Sequence, residues 1–218
     1  DLDAVYLRHP LAQGLLSRKE ALLWTGGWAL TAFVGAYILN PVCALIFLAG
    51  GLLEAIYCLL LRISYLRTIV SGVVKTLGAM AAVFAVDRDP SFDFLAVLFL
   101  WIFLWEIGGQ NIPNDWTDLR EDLLLEAQTV PVRFGLEGSI QLIFASLVLA
   151  VVMSIAMLWM TPTALGPQYL LGCLLAGLFL LLLPAYKLHK NQSPKEAFAL
   201  FNRASYYPLA MLFVVIAS

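Results

Sequence analysis

Long apolar segments make up most of the chain, and short polar connections separate them. A helix needs about 20 predominantly apolar residues to cross a bilayer. Apolar residues surround most of each segment instead of forming one stripe, which is typical of helices buried in lipid and protein. The pattern predicts an all-α, multi-pass transmembrane helical bundle forming a single domain over residues 1–218, with seven spans at roughly 19–39, 41–61, 66–86, 92–114, 136–160, 165–187 and 196–217.

Local signals at the ends of these segments support the predicted spans. Ser17 and Glu20 have the spacing of a capping box before the first span. Pro41 and Pro167 stand where the first turn of a helix tolerates proline. The glycine pair at 108–109 and Pro113 predict a loosened or kinked end of the fourth span.

Composition agrees with a lipid environment and excludes several kinds of partner. Only 13% of residues are charged, against about 25% in soluble domains. The net charge of −2 gives no basic excess that would favour nucleic acid. Cysteines and histidines are too few and too scattered to predict a metal site of their own, at Cys43, Cys58, Cys173, His9 and His189.

Basic residues fall on alternate connections of the predicted bundle. Ten of the 13 lysines and arginines lie before the first span and in the connections after the second, fourth and sixth spans, whereas the other connections hold only Arg88. Because positive residues are retained on the cytoplasmic side, the long connection at 115–135 is predicted to be cytoplasmic.

That connection carries the densest group of candidate functional residues. Asp115, Asp118 and Asp122 follow one another at i, i+3 and i+7. If the fourth span continues as a helix, the three side chains lie on one face. Carboxylates stacked in this way repel one another unless a cation lies among them, and Mg²⁺ uses one or two carboxylates together with water and phosphate oxygens. A solvated acidic helix end is the simpler alternative.

The surrounding residues favour the metal site. The run from Asn114 through the three aspartates, followed by Thr129-x-Pro131-Val132-x-x-Gly135, resembles the second aspartate-rich motif of the UbiA-type prenyltransferase superfamily. Glu126 departs from the motif, because the family often has glycine near that position.

Two further segments resemble the same family. Asp3 matches the last aspartate of the family's first motif, and residues 8–17 are similar to the loop after it. We therefore expect seven helices of nine in this chain, with the first two missing and activity lost without them. Tyr57 and Arg62 are similar to the family's Y-S-x-x-x-K/R, with Cys58 in place of the serine.

Three charged residues lie inside predicted spans, which is costly unless they face a partner or a cavity. Glu54, Lys75 and Glu106 each lie eight or nine residues from the basic or acidic residues at the end of their span, or about 12–14 Å at 1.5 Å per residue. They are predicted to meet either as a charge-paired contact between helices or as the polar floor of a substrate cavity.

The resemblance implies an enzyme that moves a polyprenyl group from its diphosphate to an acceptor. Asp118 and Asp122, with Asp115 and Asp3, would hold Mg²⁺ and the diphosphate, and Arg62 and Arg67 would contact phosphate oxygens. Asn114, Tyr57, Lys75, Glu54 and Glu106 complete the predicted substrate-binding set. The expected partners are a polyprenyl diphosphate, a small-molecule or lipid acceptor and membrane lipid.

The sequence leaves open both the acceptor substrate and the functional class of the protein. An aromatic acid of quinone biosynthesis is the first choice, with a lipid glycerol phosphate, a tetrapyrrole and a sugar phosphate as alternatives. A CDP-alcohol phosphotransferase would need Gly after its second aspartate, where this chain has Leu119. A non-catalytic transporter or scaffold would use the same bundle, and it predicts no Mg²⁺-dependent binding of prenyl diphosphates.

Overall fold

The computed structural model describes residues 10–11, 13–161 and 165–218. Within those residues seven helices are long and apolar enough to cross a membrane, and no strand is present. This confirms the predicted multi-pass helical bundle. The helices are α1 (Arg18–Leu39), α2 (Pro41–Arg62), α3 (Arg67–Val86), α4 (Phe92–Thr117), a short α5 (Leu119–Leu124), α6 (Val130–Met160), α7 (Pro167–Asn191) and α8 (Pro194–Ala217).

The predicted helix starts are present as hydrogen-bonded caps. The Glu20 amide donates to Ser17 Oγ at 3.3 Å, and the Ser17 amide donates to Glu20 Oε2 at 2.8 Å, which completes the capping box of α1. Asn40 caps α2 by accepting from the Val42 amide at 2.9 Å. Asn40 Nδ2 donates to the Phe84 carbonyl at 2.8 Å, so the turn between α1 and α2 is tied to the end of α3.

The best-buried part of the bundle lies among α4, α6, α7 and α8. α4 packs along α6, and α8 packs against the end of α4 and against α7. Large side chains with under 2% exposure fill this region, including Trp116, Tyr169, Tyr207, Ile143 and Leu188. α1 has no buried residue and packs on α2, which in turn packs along α3. The large apolar side chains on the outside suit a lipid environment.

The end of α4 is a π-helical segment, Glu106–Asn111, where a kink or a loosened end was predicted. The helix stays continuous because the wide turn closes with a bond from the Ile112 amide to the Ile107 carbonyl. Pro113 has no amide proton to give to the Gly109 carbonyl. That carbonyl accepts from Gln110 Nε2 instead, at 3.1 Å.

The glycine pair in this segment allows close helix packing. A Cβ on Gly108 would lie 3.0 Å from the Ile143 carbonyl oxygen, and one on Gly109 would lie 2.9 Å from Ala204 Cβ. The π-helical segment of α4 therefore approaches α6 and α8 more closely than other residues would permit.

α6 begins six residues before the predicted fifth span. Its first turn starts at Val130 and is separated from the rest of the helix by Gly135, which has φ 68° and ψ −179°. This backbone region is essentially restricted to glycine. The freed carbonyl of Gly135 accepts from Ser139 Oγ at 2.7 Å. The predicted start at 136 thus corresponds to the residue after a kink.

Candidate functional site

The three aspartates do not share one uninterrupted helix. α4 ends at Thr117, Asp118 has φ −98° and ψ 11°, and α5 begins at the next residue. Polar side chains at this point bond locally: Thr117 Oγ1 donates to the Asn114 carbonyl at 2.8 Å and to Asp118 Oδ1 at 3.1 Å. Such bonds compete with regular helix structure. The one-face arrangement expected for a continuous helix is therefore replaced by a helix, a turn and a second helix.

The turn nevertheless keeps the three carboxylates close enough to interact electrostatically, together with Arg67 at the start of α3. Asp122 is buried, and Thr129 Oγ1 donates to its Oδ2 at 2.9 Å. Burial raises the pKa of the Asp122 carboxyl above its ordinary value, against the hydrogen bond from Thr129 and the charge of Arg67, which lower it. Asp118 raises this pKa further by repulsion. Asp115, Asp118 and Asp122, named the aspartate cluster below, thus place three carboxyl groups beside one arginine.

The motif residues after the aspartates have identifiable roles in the backbone. Glu126 has φ 56°, a left-handed conformation that favours glycine, so its departure from the family pattern leaves the turn in place but puts a side chain in a strained position. The Ala127 amide donates to the Asp122 carbonyl at 2.9 Å, and the Gln128 amide donates to the Leu61 carbonyl at 2.8 Å. The loop is thereby held against the end of α2.

Of the two arginines predicted to contact phosphate, Arg67 is the one placed beside the aspartate cluster. Its guanidinium donates to Tyr57 Oη and lies 4.5 Å from the centroid of the Tyr57 ring. Its buried Nε has no hydrogen-bond partner. Arg62, the arginine favoured by its position in the Tyr57 motif, is exposed, and its side chain forms no hydrogen bond or ion pair with any described residue.

A cavity of about 330 Å³ adjoins the aspartate cluster. It connects to the cluster through two side chains, because Tyr57 bonds Arg67 and Asn114 Nδ2 donates to Asp118 Oδ2 at 3.3 Å. We call it the polar cavity. Its lining consists of Glu54, Tyr57, Ser71, Lys75, Glu106, Gln110, Asn111, Asn114 and Phe201.

All three predicted intramembrane charges line the polar cavity, but only two of them bond. Lys75 Nζ lies 3.3 Å from Glu106 Oε1 as an ion pair between α3 and α4. Glu54 faces the same cavity from α2 and makes no hydrogen bond or ion pair within the described part of the chain. The three charges thus line one cavity, and among the described residues a charge-paired contact joins only Lys75 and Glu106.

Sequence reasoning missed several polar residues of this cavity. Ser71 Oγ donates to Asn111 Oδ1 at 3.0 Å, and Asn111 Nδ2 donates to Glu106 Oε1 at 3.3 Å. Gln110 and Phe201 also line the cavity. Amide side chains within an apolar span were the available signal, although the π-helical turn that brings Asn111 back toward Glu106 has no simple sequence pattern.

Two points limit how the aspartate cluster could hold a metal. Asp3 lies outside the described residues, and among those described no three His, Cys, Asp or Glu side chains form a metal-holding group. The donor chemistry still fits Mg²⁺, which accepts one or two carboxylates and completes its shell with water and phosphate oxygens. A metal here would therefore be shared with an anionic ligand.

The fold and the site together define a class: an integral membrane protein of helices with a carboxylate cluster and a polar cavity at one end. The chain belongs to the UbiA prenyltransferase family, whose model matches residues 1–212.

Individual relatives agree with this assignment. The chain is 27% identical over 188 residues to a digeranylgeranylglyceryl phosphate synthase of Thermococcus sibiricus, with 86% of this chain and 64% of the relative covered. It is 27% identical over 195 residues to a 4-hydroxybenzoate octaprenyltransferase of Saccharophagus degradans, covering 88% and 62%. The chain thus spans less than two thirds of the length of either relative.

Solved structures show the same fold. The apo structure of a UbiA homolog from Aeropyrum pernix superposes with a TM-score of 0.75 at 20% identity, over 96% of this chain and 76% of that one.

Proposed function

We propose that the protein is a Mg²⁺-dependent prenyltransferase that moves a polyprenyl group from its diphosphate to an acceptor. The observation that carries the proposal is the aspartate cluster with Arg67 beside it, placed against a polar cavity inside an apolar helical bundle. Three neighbouring carboxyl groups suit a divalent cation that binds through oxygen, and the cavity and bundle suit a substrate with a polar head and an apolar chain.

Each site residue then has a role. Asp118 and Asp122, with Asp115 and Asp3, would hold Mg²⁺, which when bound neutralises charge on the leaving diphosphate. Arg67, held by Tyr57, would donate from its unpaired Nε to a phosphate oxygen. Arg62, which is exposed, is the less favoured of the two arginines for this role.

The reaction breaks the allylic C–O bond, and the diphosphate leaves with the electron pair. The acceptor gives an electron pair to the prenyl carbon and loses a proton. Preorganised charges at the leaving group lower the barrier to the first event. The apolar bundle keeps water away from the electron-deficient carbon until the acceptor captures it.

An anionic aromatic acceptor such as 4-hydroxybenzoate is our first choice, and a glycerol phosphate lipid precursor is the alternative. These choices follow the names of the two relatives, which differ in acceptor. A transporter or scaffold would explain the buried charges but not the three crowded carboxylates beside Arg67.

We further propose that the aspartate cluster lies on the cytoplasmic side. The support is the distribution of Lys and Arg, which are concentrated in the connections at that end of the bundle.

The proposal is tested by incubating the purified protein, expressed from its complete gene, with radiolabelled geranylgeranyl diphosphate, Mg²⁺ and either 4-hydroxybenzoate or glycerol 1-phosphate. We expect Mg²⁺-dependent prenylation of at least one acceptor. Asp118→Ala and Asp122→Ala should abolish it, whereas Asp89→Ala, at the far end of the bundle, should not. Absence of turnover with either acceptor, or full activity in both cluster variants, would refute the enzyme assignment.

A further inference from the structure

Lys75 and Glu106 form an unequal pair. The Lys75 side chain is 60% exposed, whereas that of Glu106 is 5% exposed. A charge facing hydrocarbon is expensive, so charged side chains in spans face a partner or a hydrated cavity. A pair that served only to join α3 to α4 would bury both members. Lys75 instead presents its ammonium to the polar cavity.

The rest of the network holds Glu106 and leaves Lys75 with spare donors. Glu106 Oε1 accepts from Lys75 and Asn111, and Asn111 in turn accepts from Ser71. A lysine ammonium has three protons, and within the described residues its one hydrogen bond goes to Glu106. Glu106 is thus held in place by two hydrogen bonds, whereas the Lys75 ammonium can still donate to a ligand.

Glu54 supplies a second open group, of opposite charge. It lines the same cavity from α2, and its carboxylate has no hydrogen-bond donor among the described residues. An ammonium and a carboxylate with free capacity, on facing helices, match a molecule that carries both an anionic group and a hydroxyl.

This position is separate from the aspartate cluster. Lys75 follows Arg67 by eight residues on α3, which is about 12 Å at 1.5 Å per residue. An anion at Lys75 would therefore lie deeper along α3 than a diphosphate held at Arg67.

We propose that Lys75 is the acceptor-recognition residue, which binds the anionic group of a small hydroxyl-bearing acceptor, while Glu54 accepts the hydroxyl proton in a hydrogen bond. The inference rests on the proposed function, because only prenyl transfer would make this ligand an acceptor substrate. It assigns Lys75 to the acceptor instead of to the donor diphosphate. The shared chemistry covers a hydroxybenzoate and a glycerol phosphate, which differ in the ring and in the type of anion.

Equilibrium binding with matched probe pairs tests this without requiring turnover. The probes are 4-hydroxybenzoate against its methyl ester, and glycerol 1-phosphate against glycerol, so each pair differs by the anion and the two pairs distinguish the sources. We expect one anion to bind at least tenfold more tightly than its neutral partner. Lys75→Met should bring that ratio close to one, and Lys75→Arg should retain most of it.

Two further variants separate recognition from folding. Lys195→Met, an exposed lysine on α8, is the matched control and should keep the wild-type ratio. Glu106→Gln removes the negative charge beside the ammonium, so the affinity for the anion should hold or rise, whereas a structural pair would lose binding and stability together.

The inference is overturned if neither anion binds more tightly than its neutral partner, if Lys75→Met weakens both members of a pair equally, or if Glu106→Gln lowers anion affinity in a folded protein. Mg²⁺-dependent binding of geranylgeranyl diphosphate is measured beside it. Absence of that binding in the wild-type protein would refute the proposed function. Anion selectivity at Lys75 is judged separately, from the ratio of affinities for the anionic and neutral probes.

Discussion

Single backbone positions set the shape of the connection at 115–135, and Gly135 has the backbone conformation that other residues adopt least readily. Its φ of 68° and ψ of −179° are essentially closed to other residues, and a Cβ there would meet nothing within 4 Å. We expect Gly135→Ala to destabilise the protein by about 1–3 kcal/mol through backbone strain alone. The control is Gly78→Ala, also without neighbours but within α3. Thermal unfolding in detergent measures both, and equal melting temperatures would contradict this reading.

Glu126 is the reverse case, a non-glycine residue whose replacement by glycine should relieve backbone strain. It holds a left-handed conformation at φ 56°, which costs a non-glycine residue about 1–2 kcal/mol. Glu126→Gly should therefore leave stability unchanged or raise it by about 1 kcal/mol, after allowance for the greater freedom of glycine in the unfolded chain. Glu126→Ala keeps the strain and should show no gain in melting temperature; a larger gain with alanine than with glycine would refute the explanation.

Thr129 controls the charge state of Asp122. The hydrogen bond from its hydroxyl lowers the pKa of the Asp122 carboxyl, which burial raises. Removing the bond in Thr129→Val raises that pKa further. Since a metal ligand must be deprotonated, the acidic limb of the rate profile should move to higher pH. Thr117→Val, whose hydroxyl bonds Asp118 instead, is the comparison, and an unmoved acidic limb in Thr129→Val would argue against the assigned role.

Among the helices, α4 carries the feature that most affects the site. Its π-helical turn places Glu106 and Asn111 on the same hydrogen-bond network and brings Gly108 close to α6. A methyl group on Gly108 would lie 3.0 Å from a backbone oxygen, which cannot move aside easily. We expect Gly108→Ala to cost about 1–3 kcal/mol by overpacking.

Circular dichroism melts compare Gly108→Ala with the open position in Gly78→Ala. If the two variants were equally stable, the close approach of α4 and α6 would not hold.

The helices could be predicted from the sequence, whereas the arrangement of the site residues could be predicted only in part. Seven spans, the cap at Ser17 and the loosened helix before Pro113 follow from hydrophobic length and local chemistry, because lipid forces each backbone polar group to bond within its own helix. The break at Asp118 did not follow, because it accompanies local side-chain bonds, one of which runs from Thr117 Oγ1 to the backbone carbonyl of Asn114. The preference for Arg67 over Arg62 also required the structure, since each arginine follows Tyr57 at a plausible spacing and only the turn at 60–66 decides between them.

For the whole molecule, sidedness is the property that the charge distribution predicts. In oriented membrane vesicles and a cysteine-free background, Glu121→Cys at the aspartate end should react with an impermeant thiol reagent from the cytoplasmic face. Asp89→Cys, at the opposite end, should react from the other face. Labelling of both from the same face would contradict the seven-span topology, and an exchange of faces would contradict the positive-inside orientation alone.

Mg²⁺-dependent binding of geranylgeranyl diphosphate to the purified protein is the most direct test of a diphosphate site at the aspartate cluster. We expect removal of Mg²⁺ to lower the affinity at least tenfold, and the double variant Asp118→Asn, Asp122→Asn to bind weakly with or without the metal. Asp89→Asn should bind like the wild type. Equal affinity with and without Mg²⁺, or Mg²⁺ dependence that survives in the double variant, would contradict a diphosphate site at the aspartate cluster.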